Sequence, residues 1–358
     1  MIIPENKIRE QAEMFANRLD KRFRHLRKWA ARTGVSCYRL YDRDIPEVPL
    51  AVDLFREHKT ENLYLHFALY ERPYEKNEDE EESWLEEMKN TAGKILNIPD
   101  RNIFSKTRKR QRGTENQYGR SEGKDYTIII EEYGSLFRIN LSGYLDTGIF
   151  LDHRPARLQV KNKSKGKNVL NLFCYTGAFS IHAAAGGARC VDSVDISKTY
   201  VAWTCENFRL NGFHPESAAF PDFKKNRKTV PAYNSIQMDA KEFITEINSS
   251  FPDKKWDIII CDPPTFSNSK RTKNILDINR DWEKLCLNCL VLLAPGGTLL
   301  FSTNSRSLKF DGDAIRKQVQ EPLAISDLSD KSIPEDFRNR KIHRLWAIQK
   351  KDADIFWS

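Results

Sequence analysis

From residue 167 onward the chain alternates short apolar runs with helical patterns, and no other feature constrains the fold of these 358 residues as strongly. Residues 169–173 read as a buried strand. Cys174-Tyr175-Thr176-Gly177 and an alanine-rich helix from about Ala178 follow. Further strands are expected at 190–195, 236–239, 256–262 and 297–302, with a helix over 197–210. Such alternation predicts an α/β fold with a parallel, doubly wound sheet, which binds its ligand at the carboxyl ends of the strands.

Acidic side chains stand where these strands end, at Asp195, Asp239 and Asp262. Each alone could be a helix N-cap. Together, beside the Gly177 turn, they fit an adenosine-containing ligand, with Asp195 placed for ribose hydroxyls and Asp239 for an adenine amino group. A dinucleotide site wants G-x-G-x-x-G so that backbone can approach a pyrophosphate. Here Gly177 stands alone, and Phe173 and Tyr175 fill the loop. S-adenosylmethionine has no phosphate and needs one close backbone approach plus amides for its amino-acid end. The motif Asp262-Pro263-Pro264-Thr265-Phe266 points the same way. Two prolines fix φ and hold the loop extended, so that the Asp262 carboxylate faces the place where a transferred methyl meets a planar base. Double proline is also a plain turn device.

The first 150 residues have a different texture. Residues 5–32 read as a helix with Ile8, Ala12, Phe15, Leu19, Phe23, Leu26 and Ala30 on one apolar face. An acidic run, Glu75 to Glu87, is expected to open a second helix. Strand-like segments lie at 35–41, 50–55, 62–69, 103–107, 126–132 and 136–141. The organisation expected is a basic N-terminal helix over 1–34, a small α+β domain over 35–150, and the doubly wound domain over 151–358.

The net charge of +8 comes from 58 Lys+Arg against 50 Asp+Glu. Residues 1–150 hold 26 of each sign, whereas 151–358 hold 32 basic and 24 acidic residues, so the total locates no surface. Local stripes do: 18–28, 105–113, 224–228, 270–273 and 338–344. The 18–28 stripe suits a solvated helix face as well as a phosphate contact. The 105–113 stripe has no apolar period, and a nucleic-acid contact accounts for it better. No apolar run approaches the roughly 20 residues that cross a bilayer, and seven scattered cysteines suit reduced thiols in a cytoplasm. A cytoplasmic protein with no membrane partner is expected.

Several long motifs make the chain resemble the class I S-adenosylmethionine-dependent 23S rRNA methyltransferases, most closely the guanine-N7 half of a fused bacterial enzyme. They are residues 14–19, 37–42, 116–118, 143–154, 171–177, 262–271 and 336–343. The resemblance implies a Rossmann-like class I methyltransferase sheet with large-subunit rRNA, free or in an assembling particle, as partner. It also implies that Asn171, Phe173, Tyr175, Thr176 and Gly177 line the methionine end of the cofactor, that Asp195 and Asp239 bind its adenosine, and that Arg154 approaches from the preceding segment. Asp262, Pro263 and Phe266 would face the guanine, and Lys270 and Arg271 the neighbouring phosphates. The resemblance covers one half of the fused enzyme, and residues 213–235 form an insertion relative to it.

The target atom can be argued from chemistry. Cytosine C5 needs a cysteine nucleophile. The one near the motif, Cys261, ends a buried strand and reads as a core thiol. Exocyclic-amine enzymes place an aromatic directly after the two prolines, where this chain has Thr265. Guanine N7 has an in-plane lone pair and needs no base. In paired RNA that edge lies in a groove closed to side chains, so an unstacked or flipped guanine is expected, with Phe266 or Tyr175 available for stacking. An exocyclic nitrogen target, and an RNA-binding assembly protein that retains S-adenosylmethionine, are the alternatives. His153, His182 and His343 read as too dispersed for a metal, and Cys286-x-x-Cys289 falls within a helical apolar pattern. If Arg108, Lys109 and Arg110 contact phosphates, neutralising all three flattens the slope of log K against log salt for RNA binding by about 0.7–0.9 per lost contact. Filter binding across a salt series checks this, and an unchanged slope returns the loop to a solvated surface.

Overall fold

The apolar residues spaced three and four apart near the N-terminus do share one helical face. In the computed structural model, which describes residues 5–70, 77–108, 125–144, 146–218, 232–267, 276–350 and 356–357, the chain divides into two compact units. One comprises Met1–Leu151 with Glu335–Arg338, the other Asp152–Pro334 with Asn339–Ser358.

The first unit contains α1 (Glu5–Thr33), β1 (Tyr38–Asp42), β2 (Leu50–Arg56), β3 (Leu63–Tyr70), α2 (Glu78–Leu96), β4 (Ile103–Arg108), β5 (Thr127–Glu132) and β6 (Ser135–Asn140). Its four-stranded sheet runs β1-β2-β3-β4. The β3–β4 pair is parallel, which requires a crossover, and α2 supplies it. Strands β5 and β6 form an antiparallel hairpin. Phe15, Leu19 and Leu26 of α1 and Trp84 and Met88 of α2 bury with Leu40, Val52, Leu65 and Phe67 of the sheet. The acidic run opens α2 as expected, and Asn77 caps it by accepting from the Asp79 amide.

Much of the 18–28 stripe is engaged inside this unit. Arg18 pairs with Asp44 at 2.5 Å, Arg22 donates to the Asp336 carbonyl at 2.9 Å and Arg24 pairs with Asp20. Lys21, Arg27 and Lys28 remain exposed. Several side chains of the 338–344 stripe also make internal contacts, while Arg338, Arg340 and Lys341 keep exposed surface. Arg338 meets Asp44, Arg340 donates to the Ile333 carbonyl, His343 is buried, and Arg344 donates to the Leu308 carbonyl and covers the Trp346 ring.

The second unit holds α3 (Arg154–Lys163), β7 (Asn168–Leu172), α4 (Ala178–Ala185), β8 (Cys190–Asp195), α5 (Lys198–Leu210), β9 (Pro215–Ala218), β10 (Ala232–Gln237) and α6 (Ala240–Ser250). It continues with β11 (Trp256–Cys261), β12 (Phe266–Ser267), β13 (Leu276–Asp277), α7 (Ile278–Leu292), β14 (Leu293–Thr303), α8 (Gly312–Gln318), β15 (Leu323–Asp327), α9 (Ser329–Ser332) and β16 (Arg344–Lys350). One eight-stranded sheet runs β15-β16-β14-β11-β7-β8-β10-β9. Its pairs are parallel from β14 to β9, and β16 is antiparallel to both neighbours. All five expected strands are present in the doubly wound arrangement predicted, the third shifted toward the N-terminus, at Ala232–Gln237 instead of 236–239. Strands β9, β15 and β16 were not expected. Pro215-Glu-Ser-Ala218 has almost no apolar signal, β15 is largely exposed, and the basic residues around β16 obscured its apolar run 345–348.

Asp192, fully buried on β8, ties the sheet to its neighbours. It accepts from Asn234 Nδ2 at 2.6 Å, Lys254 Nζ at 2.7 Å and Trp256 Nε1 at 2.8 Å. Asp192→Ala leaves Lys254, nearly buried, without its counter-charge, and removing one partner of such a pair costs about 3–5 kcal/mol. Denaturant unfolding checks this through a lower midpoint at unchanged slope.

Candidate active site

The sheet order places the site. From β7 the chain moves outward to β8 and β10, then returns to β11 on the other side of β7. The loops after β7 and β11 therefore meet where the winding reverses, and doubly wound sheets bind ligands at that point. These loops are 173–177 and 262–266, both singled out by the sequence.

The first loop is conformationally costly. Phe173, Tyr175 and Gly177 have φ of 57°, 52° and 80°, and each non-glycine residue in the left-handed region costs about 1–3 kcal/mol. Its neighbours hold it there. Asp195 Oδ2 accepts from the Tyr175 amide at 3.0 Å and its Oδ1 from the Ser197 amide at 2.8 Å. Thr204 Oγ1 donates to the Tyr175 carbonyl and Asn207 Nδ2 to the Thr176 carbonyl. The Tyr175 ring packs edge-on against Tyr200. At Gly177 a Cβ would sit 2.5 Å from Thr204 Cγ2, so a side chain is excluded by both φ and space. Gly177 is also the N-cap of α4 and supplies no side-chain cap. The first-turn amides of α4 are thus suited to a carboxylate such as that of an amino-acid ligand.

The proposed cofactor residues fall into two groups. Phe173, Tyr175, Thr176, Gly177 and Asp195 form one turn with its anchor. Asn171 is buried and donates to Ser180 Oγ at 2.9 Å, which also accepts from Ser193 Oγ, so it ties β7 to the start of α4. Arg154 is buried in the first turn of α3. Asp239 caps α6, accepting from the Lys241 and Glu242 amides through Oδ1. That is the helix-cap alternative the sequence left open, and Oδ1 serves it. Burial pushes the Asp195 carboxyl up to about 6, against the lowering effect of its backbone hydrogen bonds. It therefore ionises near neutrality.

In the second loop Asp262 is half-buried, and Phe266 keeps 46% of its surface exposed. Thr265 Oγ1 donates to Asn304 Oδ1, and the Thr265 carbonyl accepts from the Ile278 amide, so the loop is braced from β14 and α7. Asn304 had no signal in the sequence beyond lying just past the fifth strand. Lys109, Arg110, Lys270, Arg271 and the 224–228 cluster lie outside the described residues, as does the side chain of Arg108.

The reading of His153 and His343 as dispersed is corrected. Their rings stack at 4.0 Å with an interplanar angle of 13°, and Asp152 joins them. Asp152, His153 and His343 all belong to the second unit, where the residues just before α3 meet the residue that precedes β16. His153 Nε2 lies 3.6 Å from Asp262 Oδ2. Burial above all, with the adjacent His343, pushes the His153 imidazole down to about 4, so it is neutral at pH 7. The seven cysteines are free, and none is exposed. Burial pushes the thiols of Cys174, within the first loop, and Cys261, just before the second, well up. Cys286 and Cys289 belong to the α7 core face with Cys261.

A carboxylate that accepts ribose hydroxyls must be ionised. S-adenosylmethionine affinity is therefore expected to weaken as pH falls through about 6, with Asp195 protonated in the free protein. Asp195→Asn should bind more weakly at pH 7.5 and lose that pH dependence. Calorimetry between pH 5 and 8 measures both, and an unaltered affinity in the variant removes Asp195 from the ribose site.

Comparison with known proteins agrees with this fold. Residues 65–321 match the family of S-adenosylmethionine-dependent methyltransferases. The ribosomal RNA large subunit methyltransferase K of Neisseria meningitidis serogroup B is 39% identical over 94% of this chain and 87% of its own. The methyltransferase K/L of Psychromonas ingrahamii is 40% identical over 95% of this chain, which spans only 41% of that protein. In fold, the crystal structure of SMU.776 complexed with SAH superposes with a TM-score of 0.65 at 22% identity, covering 93% of this chain and 81% of the other. The chain belongs to the S-adenosylmethionine-dependent methyltransferase family, together with the ribosomal RNA large subunit methyltransferases K, and S-adenosylmethionine is its cofactor.

Proposed function

We propose that the chain transfers a methyl group from S-adenosylmethionine to N7 of a guanine in 23S rRNA, on an unstacked or flipped base. The cofactor supplies an electrophilic methyl on a sulfonium sulfur. The guanine N7 lone pair forms the new N–C bond while the C–S electron pair stays on sulfur, so S-adenosylhomocysteine leaves and the purine ring takes the positive charge. No proton is lost and no base is needed. The residues of the crevice then have two tasks. The 173–177 turn and Asp195 hold the cofactor, and the braced 262–266 loop aligns the base and sets a carboxylate against the growing charge. The exposed Phe266 ring is available for stacking on a splayed base.

The observation that carries this reading is the content of the crevice. Its loops present Asp262, two prolines, Thr265 and Phe266, and the neighbouring thiols of Cys174 and Cys261 are buried and held protonated. Covalent activation of a pyrimidine carbon therefore has no nucleophile among the described residues. The large-subunit rRNA named for the similar proteins supports the substrate, free or in an assembling particle. The first unit, with exposed Lys21, Arg27 and Lys28 and the 105–113 stripe, is proposed to present it. Arg108, Lys109, Arg110, Lys270 and Arg271 are proposed phosphate contacts.

The test is methyl transfer from labelled S-adenosylmethionine to 23S rRNA from a strain lacking the protein, followed by digestion to nucleosides. Labelled 7-methylguanosine and a new borohydride/aniline cleavage site are expected. Label in an N2-methylguanosine or N6-methyladenosine peak overturns the N7 assignment. No transfer, together with defective ribosome assembly in the deletion strain, replaces the enzyme with an assembly factor.

A further inference from the structure

Beside the crevice lies a buried polar group that the reaction as described does not use. His153 keeps only 6% of its surface exposed, and its Nδ1 has no hydrogen-bond partner. Its other nitrogen, Nε2, is flanked by two carboxylates, Asp262 Oδ2 at 3.6 Å and Asp152 Oδ2 at 4.0 Å. A neutral imidazole carries one proton. On Nδ1 that proton would leave a buried donor unpaired and turn a lone pair toward two anions. On Nε2 it faces both carboxylates and leaves only a bare lone pair inside. The second arrangement costs less, so the Nε2–H tautomer is the stable one.

The ring has little freedom to turn. His343 stacks on it and is itself clamped, with Nδ1 2.8 Å from Asp152 Oδ2 and Nε2 2.8 Å from Ser332 Oγ. Among the described residues, no hydrogen bond reaches the Asp262 carboxylate, and the 3.6 Å approach of Nε2, longer than a hydrogen bond, is its one contact within ion-pair range. Both His343 and Ser332 lie beyond the family-matched stretch, which ends at residue 321.

We infer that His153 is a positioning residue for the methyl-transfer site: its Nε2–H, held by the stacked and clamped His343, orients the Asp262 carboxylate toward the substrate base. This rests on the reading that Asp262 faces the transferred methyl. The groups that set the charge around His153 are Asp152, Asp262, His343 and Arg157. With the imidazole neutral, Asp262 faces an N–H dipole at 3.6 Å instead of a counter-ion. An adjacent cation would cancel the charge that stabilises the methylated purine.

The experiment uses the full chain, labelled S-adenosylmethionine and 23S rRNA, in steady state. His153→Phe keeps a ring for the stack and removes the N–H. Its kcat is expected to fall about tenfold to a hundredfold, with S-adenosylmethionine affinity by calorimetry unchanged. His153→Gln, whose amide reaches to the same point, should recover most of the loss. A double variant with Asp262→Asn should be no slower than Asp262→Asn alone. Full kcat in His153→Phe beside a depressed Asp262→Asn overturns the inference and spares the reading of Asp262. Full kcat in Asp262→Asn overturns that reading first. If His153→Phe does not fold, ¹⁵N NMR of the unsubstituted protein decides: an Nε2–H tautomer is expected, and an Nδ1–H tautomer refutes the account.

Discussion

Two hydrogen bonds from backbone amides to one carboxylate hold the rest of the site in place. Asp195, at the end of β8, accepts from Tyr175 in the turn after β7 and from Ser197 at the head of α5. Without the first of these, a turn with Phe173, Tyr175 and Gly177 all at positive φ would have little to set against its backbone strain. The turn in turn fixes where α4 begins. Because Gly177 caps α4 without a side chain, the helix opens toward the crevice with its amides suited to an anionic group. The same carboxylate is half-buried, and burial pushes it up to about 6, so it carries its charge at neutral pH despite part of its desolvation cost.

Charge acts locally in this protein. The net +8 marks no single surface, because several of the basic side chains are engaged in internal contacts. Arg18, Arg22 and Arg338 are engaged by Asp44 and the Asp336 carbonyl within the first unit, and Lys254 answers Asp192 in the second. Lys21, Arg27 and Lys28 of α1 stay exposed, and with the 105–113 and 270–273 stripes they are the positions proposed to meet RNA. These are positions, not totals, and surface cations of this kind contribute to affinity through counterion release.

How much of this was legible in the sequence follows from the range of each interaction. Strands such as 256–261 announce themselves because a parallel strand buried on both faces is a continuous apolar run. The edge strands β9 and β15 do not, since one is polar and the other exposed. The Asp262-Pro-Pro-Thr-Phe loop was legible because its chemistry is contiguous. Asp239 was ambiguous by nature: a carboxylate at a strand end that precedes a helix can serve a ligand or the helix, and its Oδ1 caps α6. The His153–His343 stack was invisible, because the two residues are 190 positions apart and only the topology of the second unit joins them. The same holds for Asn304 against Thr265 and for Asp336 against Arg22.

The central claim is that the crevice between the β7 and β11 loops holds the methyl donor with its sulfur toward Asp262. A crystal structure of the protein with S-adenosylhomocysteine tests it most directly. The account predicts the amino-acid carboxylate at the first-turn amides of α4, the ribose hydroxyls on Asp195, and the sulfur facing the Asp262-Pro263 backbone. A ligand bound elsewhere on the chain, or one whose ribose makes no contact with Asp195, would contradict it.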